Sequence, residues 1–197
     1  GSIEKYNKDN IPFYISCPKK DKQLFENILG KENYTLLFDE DIITLEYPID
    51  GWRSQQIIKS NIHKLKITEN YLCLDSDAYF IKDFYENDFI AKDNIPYTLI
   101  HENKETQQYK KLFYNTQCLS YYRKTFGSDY RKIYDYGPSP YIWSCKVWEH
   151  FEENYLKLNN FTFEKFQIIM EQQFNTQMRE ALIYGDPYLK FTTGKKW

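Results

Sequence analysis

The chain has 197 residues, 42% of them hydrophobic and 27% charged, with a formal net charge of -2. That size and apolar content fit one globular domain over residues 1–197 with a sizeable core. The near-neutral charge excludes the basic footprint that DNA or RNA binding needs, and no apolar run approaches the roughly 20 residues of a membrane span.

No segment shows the charged, apolar and small-residue layout of a signal peptide. The four cysteines, Cys17, Cys73, Cys118 and Cys145, form no Cys-x-x-Cys pair. They suit reduced, buried thiols better than zinc ligands or disulfides, so the expected location is the cytoplasm, its inner membrane face included. Aromatic residues make up 19% of the chain. Asn, Lys and Ile are frequent as well, and such a bias together with core packing accounts for the rings better than stacking on sugars does.

In chain order, residues 11–16 are short and apolar before Pro18 and predict a strand, followed by a helix over 20–29 that Gly30 closes. Residues 34–38 predict a second strand. Ile57, Ile58, Ile62 and Leu65 recur at helical spacing within 55–65, and an apolar strand beginning at Tyr71 follows a polar turn at 68–70. Residues 97–100 predict a further strand, and 104–121, 148–158 and 163–184 predict helices. The polar stretch 128–139 is the best candidate for a mobile loop. This alternation implies an α/β fold with a mixed, mainly parallel sheet flanked by helices, whose ligands gather beyond the carboxyl ends of the strands.

One such end carries the chemistry. Tyr71-Leu72-Cys73-Leu74-Asp75-Ser76-Asp77 is an apolar run ending in two carboxylates two residues apart. Read as strand, it projects Asp75 and Asp77 to one face. Two carboxylates at one spot repel each other unless a cation or a proton neutralises them. Mg2+ or Mn2+ suits that need, since both take a few carboxylates together with water and phosphate oxygens. The same pattern opens haloacid-dehalogenase phosphatases, where the first Asp is the nucleophile. Tyr79 stands where those enzymes carry Thr or Val, and no convincing acidic pair follows. A third reading has both Asp residues capping a turn.

The flanking segments decide more. Gly51-Trp52-Arg53-Ser54-Gln55-Gln56-Ile57-Ile58-Lys59 precedes the strand, Asp83-Phe84 follows it, and Pro96-Tyr97-Thr98-Leu99-Ile100-His101 comes next. With Asp75-Ser76-Asp77 they resemble bacterial GT-A-type glycosyltransferases of the DUF6492 family, a similarity running over residues 11–188. Arg179-Glu180-Ala181-Leu182-Ile183-Tyr184-Gly185 is similar to the family's Ser-Glu-Tyr-x-x-Tyr-Gly, keeping Glu, Tyr and Gly but not the Ser or the adjacent Tyr.

The resemblance implies a GT-A-like, Rossmann-like fold and a metal-dependent transferase using Mn2+ or Mg2+. The enzyme would move a sugar from a nucleotide-sugar donor to a glycan or lipid-linked saccharide acceptor in bacterial surface polysaccharide synthesis. It implies that Asp77 is the main metal ligand and that Asp75 contacts the donor ribose or reaches the metal through water. Gln55 and Lys59 share a helix face toward donor hydroxyls, while Gln56 points elsewhere, and a solvated surface charge is an equal reading of Lys59. Trp52 stacks on a ring or packs at the start of its helix. Glu180 is the general base, a contact to the acceptor hydroxyl or a surface carboxylate, with Tyr184 on the same helix face. His101 contacts metal or phosphate, or is structural. Tyr141 and Trp143 belong to a rigid aromatic acceptor loop over 136–144. The resemblance also places residues 2–6 at the end of the first helix, with the family's first strand missing. The sheet edge this would expose favours a homodimer. The alternatives are a magnesium-dependent phosphohydrolase of haloacid-dehalogenase type and a non-catalytic nucleotide- or sugar-binding domain.

Overall fold

A computed structural model describes residues 1–30, 33–44, 49–98, 140–174 and 184. The short helix α1 (Ser2–Tyr6) precedes β1 (Tyr14–Cys17). A 3-10 turn at Lys19–Asp21 then leads into α2 (Lys22–Leu29). Gly30 ends α2 with φ +77°, a conformation that side chains rarely adopt, and turns the chain back toward β2 (Thr35–Phe38). β1 and β2 pair in parallel, Tyr14 opposite Thr35 and Cys17 opposite Phe38, so this part is a strand–helix–strand unit. A one-turn helix, α3 (Asp39–Ile42), follows directly. Its acidic residues tie down the turn after β1: the Lys19 backbone N–H donates to Glu40 at 2.9 Å, and the Ser16 hydroxyl donates to Asp39 at 2.5 Å.

The second half is built around α4 (Gly51–Asn61), which continues as a 3-10 turn over Ile62–Leu65. Its start is set by Asp50, whose side chain accepts the Arg53 backbone N–H at 3.1 Å. Next comes β3 (Asn70–Cys73), and far along the chain β4 (Tyr141–Ser144) pairs with it antiparallel, Asn70 opposite Ser144 and Cys73 opposite Tyr141. From β4 the chain runs into α5 (Cys145–Phe151), a π-turn over Glu152–Leu156 and a 3-10 turn over Lys157–Asn159. After Asn160, which adopts φ +54°, α6 (Phe163–Phe174) packs across α4.

Rings from these elements form the core. Trp148 lies edge-on to Trp143 at 5.4 Å and to Phe163 at 5.3 Å, while Phe151 stacks on Tyr155 at 5.3 Å. The abundance of aromatics therefore serves packing here. Cys17, Cys73 and Cys145 are free thiols, and burial pushes the Cys145 thiol up to about 11.

The chain is thus a mixed α/β protein with small sheets. Where the sequence predicts one mainly parallel sheet, the described residues hold two separate two-stranded sheets, only one of them parallel. Tyr97 and Thr98, expected in a strand, lie outside any strand, beyond a tight turn in which the Asn94 backbone N–H reaches the Ala91 carbonyl at 2.9 Å. The expected helix over 104–121 and loop over 128–139 fall outside the described residues. Among the described residues no helix is long and apolar enough to cross a membrane.

Candidate functional site

The site begins with α4. From Gln56 to Asn61 every residue of this helix is buried, polar ones included. Two of the polar side chains bond back within the helix: the Ser60 hydroxyl donates to the Gln56 carbonyl at 2.9 Å, and the Asn61 amide to the Ile57 carbonyl at 2.7 Å. β3 is fastened to this helix by Tyr71, whose hydroxyl donates to the Lys59 carbonyl at 2.9 Å. Burial holds the Tyr71 hydroxyl well above the usual phenol range, so it stays a neutral donor. Trp143 of β4 stands edge-on behind it at 5.8 Å.

β3 stops at Cys73, two residues short of the first aspartate. Asp75 and Asp77 therefore do not alternate along a strand as expected. Asp75-Ser76-Asp77-Ala78 forms a turn closed by the Ala78 N–H on the Asp75 carbonyl at 3.0 Å, as Asp and Ser favour in turns. The turn still sits at the carboxyl end of the strand. There the Lys59 ammonium reaches Asp75, Nζ to Oδ1 2.5 Å, with the lysine side chain 10% and the carboxylate 37% exposed. Lys59 is neither a solvated charge nor on an open face with Gln55. It is an internal cation that meets the first aspartate from below, while Gln55 and Trp52 are exposed and Gln56 is buried.

Asp77 is exposed. Tyr141 is half-buried and stacks on Trp143 at 5.2 Å. Trp143 and Tyr184, expected beside an acceptor, are instead 2% and 1% exposed. Tyr184 accepts the Ser144 N–H at 2.7 Å and packs on Trp148. Both therefore serve the core, because large rings joining a strand to its following helix bury more surface than a binding loop allows. Glu180 and His101 lie outside the described residues.

As a cation site the turn offers two hard carboxylates, one exposed and one partly exposed. Among the described residues no group of three or more His, Cys, Asp or Glu is assembled to hold a metal. Among the described residues these two carboxylates could hold a hard cation only together with ligands from elsewhere, such as water.

A second polar junction escapes the motif-based reading. His63, in the turn after α4, is buried with Nδ1 2.9 Å from the Ser60 carbonyl and Nε2 3.0 Å from Glu152 Oε2. Each ring nitrogen thus lies within hydrogen-bond distance of an oxygen from a different element. Glu152 starts the π-turn after α5, 89 residues away, and nothing local in the sequence signals the pairing. The hydrogen bond from His63 holds the Glu152 carboxyl below its ordinary value, helped by Lys64. A lowered folded-state value adds stability above the unfolded value, and that stability is lost as pH falls through the folded one. Urea midpoints measured from pH 7 down to pH 3 are expected to fall more steeply for the wild type than for Glu152→Gln below about pH 4.5.

The chain matches the DUF6492 family, a family of unknown function, over residues 1–185, and belongs to it. No curated protein matches the chain.

Proposed function

We propose that this protein is a metal-dependent glycosyltransferase that moves a sugar from a nucleotide-sugar donor to a hydroxyl acceptor in bacterial surface polysaccharide synthesis. The observation that carries this reading is the meeting of Lys59 with Asp75 at 2.5 Å. It gathers the Gln-Gln-x-x-Lys helix and the Asp-x-Asp turn at one strand end, with Asp77 turned to solvent. Such a site suits a diphosphate: Asp77, with Asp75, would hold a divalent cation, and an ammonium stands beside it. The cation, when bound, offsets the charge that grows on the leaving nucleoside diphosphate as the glycosidic bond breaks.

Within this chain, Tyr71 fixes the backbone at Lys59 and so sets where the ammonium reaches. The turn hydrogen bond from Ala78 fixes the backbone that carries the two aspartates. Gln55 and Trp52, both exposed one turn or more before Lys59, are the donor-side surface. On the acceptor side the reading assigns Glu180 as the base that takes the acceptor hydroxyl proton, with Tyr141 as a contact.

The test is a thermal-shift screen of nucleotide sugars, UDP and GDP, each with and without Mn2+. Stabilisation by nucleotide that requires Mn2+ is expected, growing with ligand concentration over its dissociation constant. Absence of any Mn2+-dependent nucleotide shift, with turnover of an aryl phosphate that Asp75→Asn removes, would make the protein a phosphohydrolase instead.

A further inference from the structure

Asp83-Phe84 follows the aspartate turn in sequence and meets the amino-terminal segment in space. Phe84 is buried, and its backbone is held from both sides: its N–H donates to the Tyr6 carbonyl at 2.9 Å, and its carbonyl accepts the Lys8 N–H at 3.1 Å. Asn7 and Phe84 thus form a parallel bridge. Two side-chain contacts flank it, the Lys8 ammonium on Asp83 at 3.2 Å and the Asp9 carboxylate accepting the Glu86 N–H at 2.8 Å. Phe80, between the turn and the bridge, stacks on the Phe84 ring at 3.8 Å. Asn7 in turn brackets Ile11, accepting its N–H at 2.9 Å and donating to its carbonyl at 2.8 Å, shortly before β1. We infer that Phe84, clasped by Lys8 and Asp9, is a positioning residue for the aspartate turn: it fixes the outgoing end as β3 fixes the incoming one. Its effect on cation and nucleotide rests on the transferase reading; its hold on the turn does not.

Chain entropy explains why a second anchor matters. The Ala78 N–H on the Asp75 carbonyl closes the turn, and residues 79–82 belong to no helix or strand. A turn held at one end samples many arrangements, and that freedom is lost when both carboxylates face one cation. A buried ring with two main-chain hydrogen bonds, set close after the turn, removes much of it in advance. The Lys8–Asp83 ion pair contributes little to this hold, since its side chains are 40% and 52% exposed. The main-chain bonds carry it: without the Lys8 N–H, the carbonyl of a buried residue loses its partner. Asp83-Phe84 therefore serves the site without touching the cation, by tying the aspartate turn to the segment that leads into β1.

The experiment compares two pairs of variants. Lys8→Pro removes the N–H that Phe84 accepts as well as the ammonium, whereas Lys8→Ala removes the ammonium alone; Asn7, extended at φ -76° and ψ 98°, suits a following proline. Asp9→Ala removes the acceptor for Glu86, and Asp9→Asn keeps one. Amide hydrogen exchange read by nuclear magnetic resonance reports the Ala78 N–H directly. It is expected to exchange about fivefold faster in Lys8→Pro and Asp9→Ala, the effect of one lost hydrogen bond, and at nearly the wild-type rate in Lys8→Ala and Asp9→Asn. The β3 amides should change less. Mn2+ binding in saturating UDP, followed by the free-ion electron paramagnetic resonance signal, should weaken in the same two variants and recover in Asp9→Asn. If Lys8→Pro does not fold, the Asp9 pair decides. Ala78 exchange that is unchanged, or that rises only in step with β3, would overturn the anchor. Faster Ala78 exchange with unchanged Mn2+ binding in UDP would overturn its role in placing the carboxylates. Wild type that binds no Mn2+ with UDP or GDP, beside faster Ala78 exchange in the variants, would overturn the transferase reading and leave the anchor standing.

Discussion

Under the proposed transferase function, Asp77→Asn is expected to abolish the Mn2+-dependent stabilisation by UDP or GDP and to lower sugar transfer by roughly 100- to 1000-fold, the range seen when one preorganised charge-stabilising group is lost. Asp77 stands on an exposed turn, so replacing its charge leaves the packing untouched, and the unfolding free energy from urea titration should stay within about 0.5 kcal/mol of wild type. The same substitution at Asp75 behaves differently. It removes one carboxylate from the buried Lys59 ammonium, so Asp75→Asn should lower stability as well as nucleotide binding. Denaturation and thermal-shift curves on the two variants separate the roles. Equal loss of stability in both would contradict the assignment of Asp77 as the solvent-facing ligand.

Trp148→Ala is expected to be the most damaging of the core substitutions, lowering stability by about 3–5 kcal/mol. Trp148 is 0% exposed, and its ring touches Trp143, Phe163 and Tyr184 at centroid distances of 5.4, 5.3 and 5.2 Å. These three neighbours are themselves large rings in a packed cluster, which refill a cavity poorly. Urea unfolding followed by far-ultraviolet circular dichroism measures the loss. Because Trp143 backs Tyr71, and Tyr71 positions Lys59, the Mn2+ and UDP response of any folded Trp148→Ala should weaken in parallel with stability. An unchanged midpoint would remove Trp148 from the centre of the core.

Much of the amino-terminal half was legible because its signals are local. The strand before Pro18, the helix ended by Gly30, the strand at Thr35–Phe38 and the helix carrying Ile57 and Ile58 all lie within a few residues of their expected bounds. The aspartate turn was located, but its geometry was not: an apolar run gives no sign that β3 ends at Cys73, whereas turn formation by Asp and Ser does. β4 was missed because Gly137, Pro138 and Pro140 mark the segment as loop, while the pairing that makes Tyr141–Ser144 a strand comes from a distant partner. The same limit hid the burial of Trp143 and Tyr184, and the His63–Glu152 junction. Lys59 and Asp75 were both singled out from sequence, but their contact depends on how α4 docks against β3. The family match over residues 1–185 covers these segments and carries no activity with it.

The pairing of β3 with β4 has a kinetic side. Its partner residues are about 70 positions apart, so the strand that precedes the aspartate turn cannot complete its ladder until the chain as far as Ser144 is available. Closing a flexible loop of that length costs on the order of 4 kcal/mol in chain entropy before any strand contact repays it. The parallel pair β1 and β2, only 21 positions apart, faces a smaller barrier and can form early. During synthesis, then, the amino-terminal unit can fold while Asp75 and Asp77 wait on an unsupported segment. The turn is therefore expected to gain its fixed geometry after the parallel pair, together with the aromatic core that follows β4.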